Sequence, residues 1–433
     1  MFSHLPAAVA GGQTTQATVD KSISRTFTHL FRLGYFDPVE TVGWADIGAE
    51  VIDSPRHRAM NFDAALQSVA LLRNDKGVLP LKPGRRVAVV GPLADARKEL
   101  MSGYTSMQPC ANDINQTEDA CIWSIAAAVA HYNGDRSLTT NASGIDVNST
   151  DTSRIAAAVA LAKAADVVVL ALGTDGSVEA EGVERFDISL PGQQLAFAME
   201  IIALNKPTVV VSVSGGQLAI DSVATAGEQV AIINAFNPCI LGMKAVAAQI
   251  FGVENRWGRL PYTVYNSSYM SENPSAPWDF DMSKAPGQTY RYYQGPNTLW
   301  PFGSGLSLTS FELNCSAAPR PEPTDAASAN HSFSCVVHNT GSRSGDEVVL
   351  VFHRPGPDVR AKADHALPLK RLIDFQRVGP VPAGSSATVD FVVSPAADLV
   401  LATAGGNHTL YSGTHEVVFW DGQGEEVAFP LAV

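Results

Sequence analysis

Four short, uninterrupted apolar runs constrain the fold of this chain more than any other feature of its sequence. They are rich in β-branched residues, end at or just before Gly, Asn or Pro, and lie at 86–91, 166–173, 207–215 and 229–236. Strands that are apolar along their whole length are typical of a parallel sheet that is covered on both faces.

Helical patterns lie between these runs, at 62–73, 122–132, 154–165, 192–204 and 241–251. Asp151 and Thr152 are candidate N-caps for the third helix, and Pro191 precedes the fourth. Alternation of buried strands with helices predicts an α/β sandwich with a mostly parallel sheet over residues 61–310. Its last part, 266–310, is aromatic and rich in turn residues, and is expected to form an irregular strap over the sandwich.

The remaining segments have different patterns. Beyond residue 311 short alternating runs recur at 332–337, 347–353, 387–392 and 415–420. This spacing predicts an all-β sandwich of the fibronectin type III or immunoglobulin kind over 311–433. Residues 1–60 contain one helical pattern, 18–33, followed by an irregular stretch. Because such a segment cannot bury a core of its own, we expect it to be the end of an upstream domain plus a linker.

Charge and composition narrow the class of ligand. Lys and Arg number 30 against 43 Asp and Glu, a formal net charge of -13, which argues against nucleic acid as a partner. No apolar run reaches the length of a membrane span. The ten histidines show no ligand spacing and no Gly-rich phosphate loop follows a strand, so neither a metal nor a cofactor is expected.

Several features are typical of a secreted glycoprotein, so we expect an extracellular location. Seven Asn-X-Ser/Thr sequons occur, at Asn115, Asn141, Asn148, Asn266, Asn314, Asn330 and Asn407. Cys110 and Cys121 flank one polar loop and Cys315 and Cys335 flank another, which makes two local disulfides plausible and leaves Cys239 as a free thiol. The first residues do not form a signal peptide, so we expect the start of the protein to be missing.

Ordered motifs along nearly the whole chain resemble glycoside hydrolase family 3, and in particular its β-xylosidase branch. They are RLGYFDP at 32–38, AALQSVALLRNDKGVLPL at 64–81, VAVVGP at 87–92, GIDVNSTDTS at 144–153, GTDGSVEAEGVERFDISLPGQ at 173–193, GRLP at 258–261, PGQTYRY at 286–292 and FGSGLS at 302–307. The resemblance implies a retaining exo-β-glycosidase that acts on xylo-oligosaccharides without a cofactor.

The resemblance also implies a missing partner. Members of the family begin with a barrel domain that supplies the nucleophilic aspartate and most sugar contacts, and only its last helix is expected in this chain. No residue here inherits the nucleophile role. The alternative hypothesis is a non-catalytic remnant that serves as a carbohydrate-associated or structural module.

The acidic loop 175–185 matches the family segment that carries the catalytic acid/base. If this loop is extended, Glu179 and Glu181 share one face, where neighbouring carboxylates would raise each other's pKa, and Arg185 would hold one of them ionised. Position in the motif favours Glu179 as acid/base, with Glu181 second. By the same resemblance Tyr104 lines the sugar site, and Arg185 is a candidate substrate contact.

Two departures from the family pattern accompany these matches. PCILGM at 238–243 stands where the family usually has a Gly-rich turn, and Glu184 stands where it has Asp. The first change is expected at the edge of the cleft.

Overall fold

The computed structural model describes residues 4–48, 51, 54–101, 122–274, 279–318 and 329–433. The chain forms two compact units, Met1–His57 and Arg58–Val433. The first unit contains α1 (Leu5–Ala10), α2 (Gln16–Arg32) and a 3₁₀ turn at Val39–Thr41, and no residue of these helices is buried. The Thr15 hydroxyl caps α2 by accepting from the Thr18 N–H at 3.2 Å. Helix α3 covers Pro55–Ser68.

The second unit is built around a six-stranded sheet. Its strands are β1 (Ala70–Arg73), β2 (Val87–Val90), β3 (Thr139–Ala142), β4 (Val167–Gly173), β5 (Thr208–Val213) and β6 (Val230–Phe236). The spatial order is β1-β6-β5-β4-β2-β3, with β1 antiparallel and every other pair parallel. The predicted α/β class with a mostly parallel sheet is confirmed, and all four apolar runs are strands.

Alternate residues of the central strands enter two separate cores. In β4, Val167, Val169 and Ala171 pack on one face of the sheet, while Val168, Leu170 and Leu172 pack on the other. Every residue of this strand is buried. Burial on both faces explains why the strands are continuously apolar.

Helices cover both faces of the sheet and occupy the connections between its strands. They are α4 (Ile125–Tyr132), α5 (Ile155–Ala164), α6 (Gln194–Ile202), α7 (Asp221–Thr225) and α8 (Cys239–Ile250), with 3₁₀ turns at Lys98–Leu100 and Arg136–Leu138. The predicted helix 62–73 is wrong at its end, because α3 stops at Ser68 and β1 begins at Ala70. The predicted caps of α5 are also wrong: its N-cap is Arg154, and Asp151 instead accepts from the Ser153 N–H at 2.9 Å.

The segment that follows the sheet is mostly irregular, as predicted for the strap. It contains only β7 (Val264–Tyr265) paired with β8 (Thr298–Trp300) and the short helices α9 (Tyr269–Glu272) and α10 (Thr289–Tyr292). Tyr265 stacks on Tyr269 with ring centroids 3.7 Å apart. Aromatic packing therefore orders this segment where regular hydrogen bonding does not.

The last part of the chain is an antiparallel β-sandwich, which confirms the predicted all-β class. One sheet contains β9 (Phe311–Ala317), β10 (His331–Asn339) and β13 (Ser386–Val393); the other contains β11 (Gly345–Pro355), β12 (Arg371–Val381), β16 (Thr414–Trp420) and β17 (Val427–Ala432). The connections include β14 (Leu401–Ala402), β15 (His408–Thr409), α11 (Pro357–Arg360) and α12 (Pro395–Asp398). Cys315 and Cys335 lie opposite each other on β9 and β10 and form a disulfide.

A buried ion pair joins the α/β part to the β-sandwich. Arg259 pairs with Glu347 of β11, and its Nε also donates to the Asp421 carbonyl at 2.8 Å. Burial lowers the pKa of Arg259 to about 10, partly offset by Asp421. The two parts belong to one compact unit, and the domain limits 61–310 and 311–433 stay predictions.

Candidate active site

The acidic loop begins at a glycine that no other residue can replace easily. Gly173, the last residue of β4, has φ +150°, and a Cβ built there would overlap the Val213 carbonyl of β5. The loop therefore leaves the sheet between two closely packed strand ends. This is the carboxyl edge, where parallel α/β sheets usually place their ligands.

The loop is folded into two turns, so the extended conformation under which Glu179 and Glu181 would share a face does not occur. Asp175 closes the first turn: its side chain accepts from the Ser177 N–H at 2.9 Å, and its carbonyl accepts from Val178 and Glu179. Short polar side chains favour such local bonds over extended backbone. Glu179 and Glu181 therefore do not share a face by strand alternation.

The second turn places Glu181 at the tip of the loop. Ala180 and Val183 exchange two backbone hydrogen bonds, of 3.1 and 2.9 Å, around Glu181 and Gly182. Gly182 has φ +76°, the conformation that a type II turn requires at its third residue. Glu181 occupies the second position and is exposed.

Glu179 is held by four hydrogen bonds. Its Oε1 accepts from the Thr174 hydroxyl at 2.7 Å and from the N–H groups of Gly215 and Gly216 at 2.9 and 3.1 Å. Its Oε2 accepts from Nε of Arg185 at 2.9 Å. We call Thr174, Glu179, Arg185, Gly215 and Gly216 the carboxylate clamp.

The carboxylate clamp favours the ionised form of Glu179. Burial alone would raise its pKa, but the hydrogen bonds from Thr174 and Gly216 and the charge of Arg185 outweigh burial, and the pKa lies below the ordinary value. A general acid must instead be protonated when the leaving group departs. The structure therefore does not support the expectation that neighbouring acids raise the pKa of Glu179.

Arg185 is committed to protein groups. Besides Glu179, it donates from Nη1 to the Asp187 carbonyl at 3.1 Å and from Nη2 to the Gln217 carbonyl at 2.7 Å. Its side chain is 12% exposed. The substrate contact predicted for Arg185 stays a prediction, while its observed contacts hold the loop on the sheet edge.

Glu181 faces an open cavity of about 610 Å³. The cavity is lined by residues of the loop and of the neighbouring strand ends, namely Lys98, Glu99, Met101, Thr174, Asp175, Gly176, Ser177, Glu179, Ala180, Glu181, Gly215, Gly216 and Asn237. Within the part of the chain that the structure describes, no ion pair or hydrogen bond engages the Glu181 carboxylate. Among the described residues, Glu181 is thus a carboxylate of this cavity wall that no protein group engages.

The remaining predicted site residues are distributed as follows. Tyr104, Cys110, Cys121 and Asn115 lie outside the described residues. Five sequon asparagines are exposed, namely Asn141, Asn148, Asn314, Asn330 and Asn407, and Asn266 is half-buried.

The departure at 238–243 lies beside the cavity. Cys239, the free thiol at the start of α8, has φ +55°, a conformation that favours glycine. Its sulfur lies 3.6 Å from the Met101 sulfur, and Met101 and Asn237 both line the cavity. The altered turn therefore contributes to the wall of this site.

Sequence reasoning placed Arg185 beside one of the two glutamates but missed the other partners of Glu179. Thr174 lies inside the motif at 173–193, whereas Gly215 and Gly216 lie in no quoted motif and are consecutive glycines just after a buried strand. Such a pair can present two N–H groups to an anion, because no side chain blocks the approach. This signal could have identified the carboxylate clamp.

The described residues also bear on two other kinds of feature, a metal site and a membrane-spanning helix. Among them no group of three or more His, Cys, Asp or Glu is placed to hold a metal ion. None of the helices in these ranges combines the length and apolar character that crossing a membrane requires.

The described residues thus combine an α/β sandwich, an acidic loop at the carboxyl edge of its sheet and a β-sandwich that follows. Residues 69–308 match the glycosyl hydrolase family 3 C-terminal domain. The chain belongs to glycoside hydrolase family 3.

Relatives agree with this assignment. The chain is 32% identical to a probable exo-1,4-beta-xylosidase of Neosartorya fischeri over 434 residues, covering 95% of this chain and 52% of that protein. It is 31% identical to an exo-1,4-beta-xylosidase of Emericella nidulans, covering 96% and 53%. The chain spans about half the length of these curated relatives.

Solved structures show the same fold. A family 3 exo-beta-xylosidase in complex with a xylobiose aziridine activity-based probe superposes with a TM-score of 0.83 at 27% identity, covering 99% of this chain and 55% of that one. A β-glucosidase of Erythrobacter marinus superposes with a TM-score of 0.79 at 26% identity, covering 99% and 57%.

Proposed function

We propose that this chain supplies the acid/base half of a retaining exo-β-glycosidase of the β-xylosidase type. Its substrates would be xylo-oligosaccharides, as the relatives' names suggest. The observation that carries the proposal is the contrast between two acids of one loop: Glu179 is held by four hydrogen bonds, and Glu181 is exposed at the tip, facing the cavity.

Glu181 is the better candidate for the acid/base, which reverses the preference drawn from the sequence. A residue in this role must donate a proton to the leaving oxygen and later take one from water. Glu181 has room to reach a ligand and no competing partner among the described residues. Glu179 would have to break the carboxylate clamp before it could do either.

Glu179 is proposed as a positioning residue. Its bond to Arg185 ties together the two sides of the hairpin, while Thr174, Gly215 and Gly216 fix the loop to the ends of β4 and β5. A site held on rigid strand ends keeps its reacting group within a small range of positions. The clamp thus restricts where Glu181 can lie.

The nucleophile is proposed to come from a barrel domain outside these residues. Retaining glycosidases place two carboxyl groups about 5 to 5.5 Å apart, one attacking the anomeric carbon. The open side of the cavity at Glu181 leaves space for such a partner. Hydrolysis would need no cofactor.

The experiment is to measure turnover of phenyl β-xyloside by the chain alone and by the chain joined to the N-terminal half of the Emericella nidulans relative. We expect negligible turnover by the chain alone, because losing one carboxylate of such a pair costs several orders of magnitude. We expect the joined protein to hydrolyse the substrate with retained anomeric configuration. The proposal would be overturned by a joined protein that folds, binds a competitive inhibitor of the Emericella nidulans relative and still shows no turnover.

One observation favours the alternative of a non-catalytic remnant. Cys239 adopts a left-handed conformation beside the cavity, at a turn where the family usually has glycine. If this wall is altered enough to prevent productive binding, the module would keep its fold without activity. Restoring turnover in the joined protein by Cys239→Gly would support this alternative for the present sequence.

The setting proposed for the protein is extracellular, in xylan catabolism. The exposed sequons and the Cys315–Cys335 disulfide are typical of secreted glycoproteins. Peptide mapping of protein secreted from a fungal host, before and after glycosidase treatment, tests occupancy at Asn141, Asn148, Asn314, Asn330 and Asn407. A fibronectin type III-like assignment for the β-sandwich is part of the same proposal.

A further inference from the structure

A second cavity, of about 460 Å³, lies under the strap. It is separate from the acidic loop and shares none of the residues that line the first cavity. Its walls are Gln217, Pro261, Tyr262, Thr263, Tyr265, Met282, Thr289, Tyr290, Arg291 and Phe302. Its volume is within the range of cavities that hold small ligands.

Two buried polar groups at this cavity lack partners. Gln217 accepts the Tyr265 N–H through Oε1 at 2.6 Å, which fixes the amide orientation and leaves Nε2 as a donor without an acceptor among the described residues. The Thr263 hydroxyl, on a residue that is 7% exposed, is also unpartnered there. A buried donor or hydroxyl without a partner is destabilising. A ligand in the cavity could supply both partners if the Thr263 and Gln217 side chains turned toward it, which for Gln217 means giving up its bond to the Tyr265 N–H.

Aromatic rings form much of the wall. Tyr290 stacks on Phe302 with centroids 4.1 Å apart, and Tyr262 and Tyr265 contribute further ring surface. Flat rings beside hydrogen-bonding groups suit a ligand with one apolar face and several oxygens at its edge. A pyranose ring has this combination.

The charge of the cavity is positive, although the chain carries a net charge of -13. Arg291 lines it, with its guanidinium carbon 6.0 Å from the centroid of the Tyr290 ring. Among the described residues no carboxylate lines the cavity, and no ion pair engages this exposed guanidinium. Burial lowers the pKa of the Arg371 guanidinium, and the positive charge of nearby Arg291 lowers it further. A guanidinium that has a ring contact but no carboxylate partner among the described residues is suited to a carboxylate ligand, which it can bind through two hydrogen bonds.

We propose that this cavity binds a pyranose that carries a carboxylate, that is, a uronic acid residue. The ring lies against the aromatic wall, its oxygens pair with Gln217 and Thr263, and its carboxylate pairs with Arg291. The inference is independent of the catalytic role of Glu181.

Gln217 belongs both to the second cavity and to the surroundings of the carboxylate clamp, which decides which residues can be changed in a test. Its side chain lines the second cavity, whereas its carbonyl accepts from Arg185 of the carboxylate clamp. Variants of Gln217 would disturb both. Within the described part of the chain neither Thr263 nor Arg291 contacts the carboxylate clamp, so these are the residues to change.

The test is ligand-observed NMR titration of the full chain with methyl glucuronide and with methyl glucoside, which differ only in the carboxylate. We expect the glucuronide to bind more tightly, by about tenfold, and only its affinity to fall as salt is raised. Arg291→Gln should reduce glucuronide affinity to that of the glucoside. Thr263→Val, nearly isosteric, should weaken both about fivefold without lowering the melting temperature.

Two further variants are controls. Lys76→Gln removes an exposed positive charge from the turn after β1, and Glu181→Gln changes the other cavity; both should bind the glucuronide as the parent chain does. The proposal is overturned if neither probe binds, if the two bind equally, if Arg291→Gln and Lys76→Gln behave alike, or if Glu181→Gln abolishes binding.

Discussion

Arg185 donates from Nε to Oε2 of Glu179 at 2.9 Å, and the two residues lie on opposite sides of the turn that carries Glu181 at its tip. With side chains 12% and 22% exposed, the pair is largely shielded from solvent. Charge-assisted bonds of this kind are among the stronger ones in proteins. The bond therefore closes the base of the hairpin and determines where Glu181 can reach.

Opening the carboxylate clamp should make Glu179 reactive. Arg185→Gln leaves a partly buried carboxylate without its charged partner, so we expect the free energy of unfolding to fall by roughly 1–3 kcal/mol. Carbodiimide labelling followed by mass spectrometry checks the local effect. In the parent chain Glu181 and the exposed Glu184 should label and Glu179 should not, whereas Arg185→Gln should expose Glu179. Equal labelling of Glu179 in both proteins would contradict the clamp.

The glycine at the end of β4 is required for the loop to leave the sheet. Gly173→Ala places a Cβ against the Val213 carbonyl in a backbone conformation that other residues rarely adopt, so we expect a loss of more than about 2 kcal/mol in urea unfolding. Gly176→Ala is the matched control, since Gly176 lies in the same loop with open space around its Cβ position. Similar stability of the two variants would rule out the steric argument.

A buried histidine pair in the β-sandwich should make stability depend on pH. His353 contacts His415 at 2.8 Å, and burial, followed by the charges of His415, Arg371 and Arg360, lowers the pKa of His353 to about 3. Between about 3 and 6.5 the unfolded chain binds a proton that the folded chain does not. Stability therefore falls as the pH drops through this range and is fully present above it.

Urea unfolding at neutral pH and at pH ~5 measures this effect. The parent chain should lose on the order of 2 kcal/mol from this group alone, because pH ~5 lies about 1.5 units below the unfolded pKa of about 6.5 and above the folded pKa of about 3. His353→Gln should lose less than the parent between the two pH values, even if it is less stable at both. The same loss in parent and variant would show that other groups cause the dependence.

The parts of the fold that the sequence predicted are those in which local pattern and burial agree. β2 and β4 are continuously apolar, and β5 and β6 nearly so, because both faces of the sheet are covered. β1 was not predicted, because its residues continue the helical pattern of 62–73. It forms a strand by pairing with β6, where Ala70 lies opposite Asn234, far along the chain. β3 was missed because this edge strand is polar and partly exposed.

The site was predictable to the level of the loop, but not to the level of the residue. The motif located Glu179 and Glu181 together. Their different roles depend on N–H groups at Gly215 and Gly216, which tertiary folding brings to the loop from the end of another strand. Only Gly182, at the third position of a tight turn, was a local sign that Glu181 lies at the tip.

The assignment of Glu181 is tested most directly by leaving-group dependence. In the joined protein, kcat/KM is measured for phenyl and dinitrophenyl β-xylosides with Glu181→Gln, Glu179→Gln and Glu184→Gln. A poor leaving group needs a proton and a good one does not, so Glu181→Gln should lose about 10²–10⁴-fold on the phenyl substrate and far less on the dinitrophenyl substrate. Glu179→Gln should lower kcat/KM for both substrates by similar factors, and Glu184→Gln should leave kcat/KM for both unchanged. If Glu181→Gln turns over both substrates at the parent rate, or if the leaving-group dependence belongs to Glu179→Gln, the account is contradicted.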